Sequence, residues 1–577
     1  MENQNNKKIW GMNNIRIQYF IFVAIIAVQL LVILYWANAK SNYFLDEFYS
    51  MGYASSYNGD STGFPTASDN WKPKEWVNNA PFKKCLTIEK DEQIIHMPFF
   101  KALKKMVTGK NYFGFLNIAE SIMGYSIVSI RPAITLNIII FVFAEIALLV
   151  FIRKIKMDVR SQYLALAMFG FSGLGIGLVE FIRFYILVIM YLLWMLVLFY
   201  GVWNSNSLEK IIPMEFGILG LAYFAYRNSQ LAMIFFGAFS FCFVIALMIS
   251  KKWKAFIPYV ALGLCGVAYI GATTDYIGIL FHPTDYPEVK NKAVKASLNI
   301  ATFSMDLVKQ NLGRCVKFFG DSYFGNYFIV LMAAFALIAY SLWICRRKNR
   351  DELPAVSYND KPDSLARTGS KLSLKNFKRD PESGFICVVF GTAVIYTWVM
   401  ALSDLTAKRY LCIAFVLYGI VFWYVLDRIL NKCLRKELVR GWYIILTAAV
   451  VLSALVPFKT RDVGIAYIYE DDGSFKAALE LYRDMDVVLA FTQGTGAEIY
   501  DCINLMSEKS YIYAVDLEEY VYDDEKFTDE FLLWARSDQN VLPVLDDLTK
   551  RGYEFESLGE NHASQAYVCH IRKNGSQ

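Results

Sequence analysis

The residues that invite chemistry begin at Tyr43-Phe44-Leu45-Asp46-Glu47-Phe48-Tyr49-Ser50, where two acids stand side by side a few residues beyond the first apolar run. That run, Tyr19 to Ala37, is long enough to cross a bilayer, and the chain then stays polar for dozens of residues. Asp46 and Glu47 therefore fall just outside the hydrocarbon, where a lipid-linked substrate presents its head group. On a helix, adjacent side chains diverge by roughly 100°, so one acid acts while the other supports it or is solvated. The alternative for both is an interfacial helix N-terminus, where the dipole favours carboxylates.

Other candidates follow at intervals. His96, in Ile94-Ile95-His96-Met97-Pro98-Phe99-Phe100, is one of four histidines and sits at the start of a second interfacial helix, with Pro98 suited to a first helical turn. Glu180-Phe181-Ile182-Arg183-Phe184-Tyr185 lies at an outer junction between two apolar runs, and Glu180 and Arg183 would share a face if the turn were helical. Arg227 and Lys408-Arg409-Tyr410 mark two more outer junctions. Short-loop cations normally stay on the cytoplasmic side, so three outer cationic sites call for an anionic ligand or for lipid phosphates. An arginine fork suits phosphate better than lysine does.

The elements that must hold these residues read as membrane spans. Hydropathy gives about eleven, at 17–37, 132–152, 161–179, 184–203, 211–225, 229–250, 255–275, 326–345, 384–402, 410–427 and 441–457. Every second connection is rich in Lys and Arg, which puts the N-terminus in the cytoplasm and both the 38–131 loop and the region after Pro457 outside. Within that loop, Leu45 to Tyr57 and Phe99 to Val107 read as helices lying along the interface, while Asn111 to Ile130, interrupted by Glu120, stays outside the span count. The 346–383 stretch is a polar cytoplasmic loop. Glycines between Gly170 and Gly177 lie inside an apolar run without a phosphate-loop Lys, which suits close helix packing.

The 577 residues are 56% hydrophobic and 16% aromatic, a composition that excludes an ordinary soluble globule. From Lys459 onward 24 acids face 11 bases, so the net +5 hides an acidic tail, which argues against nucleic acid as a partner. In that tail short β-rich runs (Val463 to Tyr469, Val487 to Phe491, Ser510 to Val515, Ala566 to Ile571) alternate with helical stretches, the mark of a small α/β domain over 458–577. Ten scattered cysteines give no disulfide framework and no zinc spacing, with a Cys502 to Cys569 bridge the one pairing left open.

In order along the chain these pieces resemble the C-type membrane glycosyltransferases (the GT-C fold), specifically the protein O-mannosyltransferase and aminoarabinose-transferase-like group of family 39 and its relatives. Asp46-Glu47 resembles the group's first-loop acidic pair, His96-Met97-Pro98-Phe99 its H-P-P-L-Y segment, Ser129-Ile130-Arg131 its lead into the second span, Arg183-Phe184-Tyr185 its R-x-Y and Arg409-Tyr410 its later R-Y. Met97 stands where the first proline is usual and Phe99-Phe100 where Leu-Tyr is usual, so the pattern departs around His96. Coverage runs over residues 10–457, with the tail matching only as an outer domain.

The resemblance implies a mainly α, polytopic membrane protein: a transmembrane glycosyltransferase domain over 1–457 followed by an extracytoplasmic α/β domain. It implies inverting transfer of a sugar from a polyprenyl-phosphate donor to a glycan, lipid or protein acceptor on the outer face of a membrane, read here as a prokaryotic plasma membrane. Asp46, with Glu47 beside it, would take the acceptor's proton. His96, Glu180, Arg183, Tyr185, Arg227, Lys408, Arg409 and Tyr410 would line the substrate site, the cations meeting the departing lipid phosphate. A divalent metal is compatible with such folds, with Asp46, Glu47, His96 or Glu180 as ligands, but the spacing does not demand one and none is assigned. Tyr43, Tyr49, Trp71 and Trp76 could stack on sugar faces. The competing readings are a lipid-linked sugar flippase, disfavoured by the scarcity of mid-span acids, and a glycan ligase or polymerase sharing the donor.

Overall fold

The computed structural model describes residues 15–40, 44–55, 75–84, 86–124, 129–273, 305–320, 328–351, 381–402, 406–434, 436–460, 474–491, 502–517, 527–560 and 564–572. Tyr43, Trp71, the Val463 to Tyr469 run and most of the 346–383 loop lie outside them. The chain divides into two compact units, one of 1–33, 139–179 and 185–460, the other of 34–138, 180–184 and 461–577. It is a polytopic, mainly helical membrane protein with a small C-terminal sheet.

Seven helices are long and apolar enough to cross a membrane: Ile15–Ala39, Ile130–Lys154, Tyr185–Asn204, Leu231–Ile249, Pro381–Leu402, Lys408–Asn431 and Leu438–Leu455. The pair Val159–Phe171 and Gly173–Glu180, bent by 49°, makes an eighth if it is counted as one broken span. Among the described residues seven or eight of the eleven expected spans thus meet that length and composition. The other three expected spans are helices too, Leu208–Asn228, Trp253–Thr273 and Phe328–Asp351. The first carries Glu209, Lys210, Glu215 and Arg227, and in the others the apolar stretch shortens to Trp253–Tyr269 and Val330–Ser341.

The bend at Ser172 has a local cause. Ser172 Oγ donates to Phe169 O at 2.8 Å and accepts from Gly175 N at 3.0 Å, capping the second half-helix with the hydroxyl its first N–H groups need. A Cβ on Gly175 would fall 2.0 Å from the Phe169 carbonyl oxygen, and one on Gly170 2.2 Å from the Gln29 amide nitrogen. That amide donates to Leu166 O at 2.9 Å, so the glycines permit both the bend and the close approach of the first helix. Because the atom met at Gly175 is backbone, Gly175→Ala is expected to cost about 1–3 kcal/mol of overpacking strain. Thermal unfolding in detergent checks it, with a Tm equal to wild type as the contrary result.

The second unit contains a six-stranded mixed sheet in the order β1-β3-β2-β4-β6-β5, where β1 is Trp76–Asn78, β2 Val487–Phe491, β3 Tyr511–Asp516, β4 Glu530–Arg536, β5 Tyr553–Glu560 and β6 Ser564–Ile571. The three central strands are parallel, the outer pairings antiparallel. Side chains alternate across the sheet: Val487, Leu489, Leu532 and Trp534 join one core with Phe82, Phe475 and Leu479, while Val488, Ala490, Leu533 and Ala535 join another with Val544, Leu545 and Leu548. Covered on both faces, the parallel strands read as unbroken apolar runs.

Strand β1 comes from the first loop and pairs with β3 across the chain. Buried Asn79 fastens it by donating to the carbonyls of Ile503, Met506 and Ser507 at 3.2, 3.3 and 3.1 Å. The open Cys502 to Cys569 pairing is corrected: Cys502 packs in one core and Cys569 in the other, with the sheet between them, and both are free thiols. Burial raises the Cys569 thiol to about 12.

Candidate active site around Asp46

The helix Leu45–Ser55 starts with Asp46 and Glu47 in its first turn, and the structure separates them by burial. Glu47 is completely buried. Its Oε2 accepts from Phe44 N at 2.7 Å, and Phe44 O accepts from Glu47 N at 2.8 Å, so a third-position glutamate reaches back to satisfy the residue that opens the helix. Its Oε1 accepts from Ile182 N at 2.8 Å and pairs with Lys40, whose amine is also buried. Lys40 Nζ further donates to Glu180 O at 2.6 Å. A carboxylate taken out of water is tolerable only with such a full set of donors.

The segment 180–184 is gripped along its length. Glu180 O is held by Lys40, Phe181 O accepts from Asn137 Nδ2 at 3.3 Å, and Asn137 Oδ1 accepts from Tyr112 OH at 3.0 Å. The Phe44 and Phe181 rings pack at 5.8 Å between centroids. Arg183 N donates to Phe181 O at 2.6 Å, closing a turn rather than a helix, so Glu180 and Arg183 do not share the helical face that their spacing allowed. The guanidinium instead reaches Ser50 Oγ at 3.1 Å and lies 3.8 Å from Asp46 Oδ1.

Asp46 is the acid left accessible: its side chain is 21% exposed, against 13% for Arg183. Lys110, absent from the sequence-derived set, stands close by, its Nζ 5.0 Å from the Phe184 ring centroid and 5.7 Å from that of Phe113. Its residue reaches solvent, yet the crowding of protein around the amine, reinforced by Arg183 and partly offset by Asp46, lowers it to about 8. One carboxylate facing two cations leaves a positive surplus, the condition for holding an anion. As an ordinary loop lysine Lys110 gives no signal in the sequence. Lys40, seven residues before Glu47, is likewise absent from that set.

His96 is exposed and closes a single 3₁₀ turn, Ile94–His96. The next helix, Phe99–Thr108, starts after it, with Pro98 as the capping residue rather than inside the first turn. Asn117 staples this region: its Oδ1 accepts from Ile94 N at 2.9 Å, and its Nδ2 donates to Ala54 O at 3.0 Å and Glu92 O at 3.2 Å. Nearby Glu120 is fully buried and accepts from Ser129 N at 3.1 Å, and burial raises its carboxyl to about 8.

In fold the chain is similar to ArnT. Crystal structures of ArnT from Cupriavidus metallidurans bound to undecaprenyl phosphate and in the apo state each align with a TM-score of 0.48, at 11% and 10% identity, over 95% of this chain and 97% of that one. No protein-family model matches the sequence, and no curated protein does.

The sequence-derived residues are thus divided. Asp46, Glu47, Glu180, Arg183 and His96 belong to the second unit, whereas Tyr185, Arg227, Lys408, Arg409 and Tyr410 belong to the first. There Tyr185 is buried at the start of its helix, and Arg227 ends the helix Leu208–Asn228. Arg409 lies over the Tyr410 ring at 4.9 Å, and Lys408 Nζ is 5.8 Å from the Phe318 ring centroid. The three acids and one histidine named as metal ligands do not gather: among the described residues no three His, Cys, Asp or Glu side chains could hold one ion.

Proposed function

We propose that the chain transfers a sugar from a polyprenyl-phosphate donor to an acceptor hydroxyl or amine at the outer face of a prokaryotic plasma membrane. The observation that carries this reading is the accessible Asp46 carboxylate held beside Arg183 while its neighbour Glu47 is buried. The acceptor oxygen or nitrogen forms its bond to the anomeric carbon from the face opposite the phosphate, and the carbon–oxygen bond to the phosphate breaks with its electron pair leaving on that oxygen. Asp46 takes the acceptor's proton, and configuration inverts. The lipid phosphate gains one negative charge as it departs, which Arg183 and Lys110 would offset through charge-assisted hydrogen bonds. For Arg227, Lys408 and Arg409 a phosphate-facing role rests on the sequence resemblance alone.

Purified protein in lipid, offered a panel of polyprenyl-phosphate sugars, is expected to release sugar to an acceptor and lipid phosphate in equal amounts. Binding of every donor without turnover would overturn the transferase reading in favour of a transporter.

Lys110 supplies a pH signature. Below about 8 its amine carries charge, and above that value it loses the charge. The donor KM is therefore expected to rise as pH passes about 8 in wild type, and Lys110→Arg is expected to flatten that rise because its guanidinium stays protonated. Identical KM profiles in the two proteins would remove Lys110 from the donor site.

A further inference from the structure

Phe181 O closes the turn that carries Arg183, accepting from Arg183 N at 2.6 Å. A second hydrogen bond reaches the same oxygen from Asn137 Nδ2 at 3.3 Å. A carbonyl only accepts, so the Asn137 amide must show it the NH2 end. Its Oδ1 is then left facing the Tyr112 hydroxyl, which donates at 3.0 Å. Tyr112, Asn137 and Phe181 are all buried, and burial raises the Tyr112 hydroxyl so that it keeps its proton. In such a place neither end of an amide goes unpaired without cost.

This chain of contacts starts on the helix Asn111–Ile122, whose capping residue is Lys110. The same helix holds the end of the Asp46 helix, where Asn117 Nδ2 donates to Ala54 O at 3.0 Å. Asp46, Lys110 and Arg183 thus share one reference element. We propose that Tyr112 and Asn137 are positioning residues that set the direction of Arg183 relative to Asp46 and Lys110. With the amide pinned, the guanidinium lies 3.8 Å from Asp46 Oδ1 and 3.1 Å from Ser50 Oγ. With the Tyr112 hydroxyl gone, the amide is free to turn over and set Oδ1 against Phe181 O, two acceptors that repel, and the turn yields. The consequence for sugar transfer rests on the transferase reading, whereas the orientation of Arg183 does not.

Lys110 reports where Arg183 lies, because burial and the Arg183 charge lower its amine to about 8 while Asp46 partly offsets them. Its titration is read on the full chain in detergent, without any donor, by competitive labelling with acetic anhydride across pH and mass spectrometry. Arg183→Gln removes the charge and sets the full upward displacement of Lys110. Tyr112→Phe, Asn137→Leu and the double variant are each expected to give at least about half of it. The double variant separates positioning from packing: with neither side chain left polar, its Tm returns toward wild type from those of the single variants, while the Lys110 displacement stays. Lys110 titrating as in wild type in the double variant would overturn the proposal, and no displacement in Arg183→Gln would remove the proximity on which it stands. Turnover is measured separately. For any donor that the wild type uses, kcat is expected to fall about 10–100-fold in the double variant, and a kcat equal to wild type would overturn the positioning role in transfer. An inactive wild type would strike the transferase reading and leave the titration to decide the orientation of Arg183.

Discussion

Asp46→Asn is expected to lower sugar transfer by about 10²–10⁴-fold, the usual loss when a general base is removed, while donor binding persists. The amide keeps the size and the polar contact with the Arg183 and Ser50 side, so the helix Leu45–Ser55 and the segment 180–184 stay in place. What goes is the lone pair basic enough to take the acceptor's proton. Donor affinity measured by isothermal titration separates the two contributions, because the Arg183 and Lys110 cations remain. Turnover equal to wild type would leave Asp46 without the role of base.

The largest effect on stability is expected at the neighbouring position. Glu47→Ala strands the buried Lys40 amine and the backbone N–H groups of Phe44 and Ile182, which share that carboxylate. Removing one partner of a buried ion pair costs about 3–5 kcal/mol, and Lys40→Ala is expected to fall in the same range because Glu47 is then left buried without its cation. Replacing both by apolar side chains costs less than the sum of the single changes, since no isolated charge is left in the interior. Chemical denaturation in detergent, run as a double-mutant cycle, checks this. Strictly additive losses would show that the pair does not act as a unit.

The membrane part of this fold was largely legible because a run of about 20 apolar residues has few alternatives to a spanning or buried helix. The length-and-composition count and the expected count part where the signal is mixed. Leu208–Asn228 forms a helix but carries four charged residues, and hydropathy does not distinguish a span from a helix packed in protein. In the tail, β2, β3 and β6 announced themselves by their β-branched and aromatic residues, whereas β1 is three residues long and owes its existence to β3. The acidic pair stood out by type and position, but which acid would be buried depended on Lys40 and Ile182, set by tertiary contacts that no local pattern encodes. Arg183 was picked out as a cation at an outer junction, and its partners Asp46 and Ser50, 133 or more residues earlier, were not.

The strand borrowed by the C-terminal sheet has a consequence for how the protein is made. Asn79 waits for carbonyls 424 to 428 residues downstream, and Phe82 fills a core whose other walls are translated after the membrane helices. The first loop therefore leaves the ribosome long before its docking surface exists and stays unfinished until the whole membrane section has been threaded. Contacts of such sequence separation form late and slowly. A fragment beginning at residue 461 would present the bare edge of β3 and a Phe82-sized hole, so co-expression of the first loop in trans is the natural remedy for its aggregation.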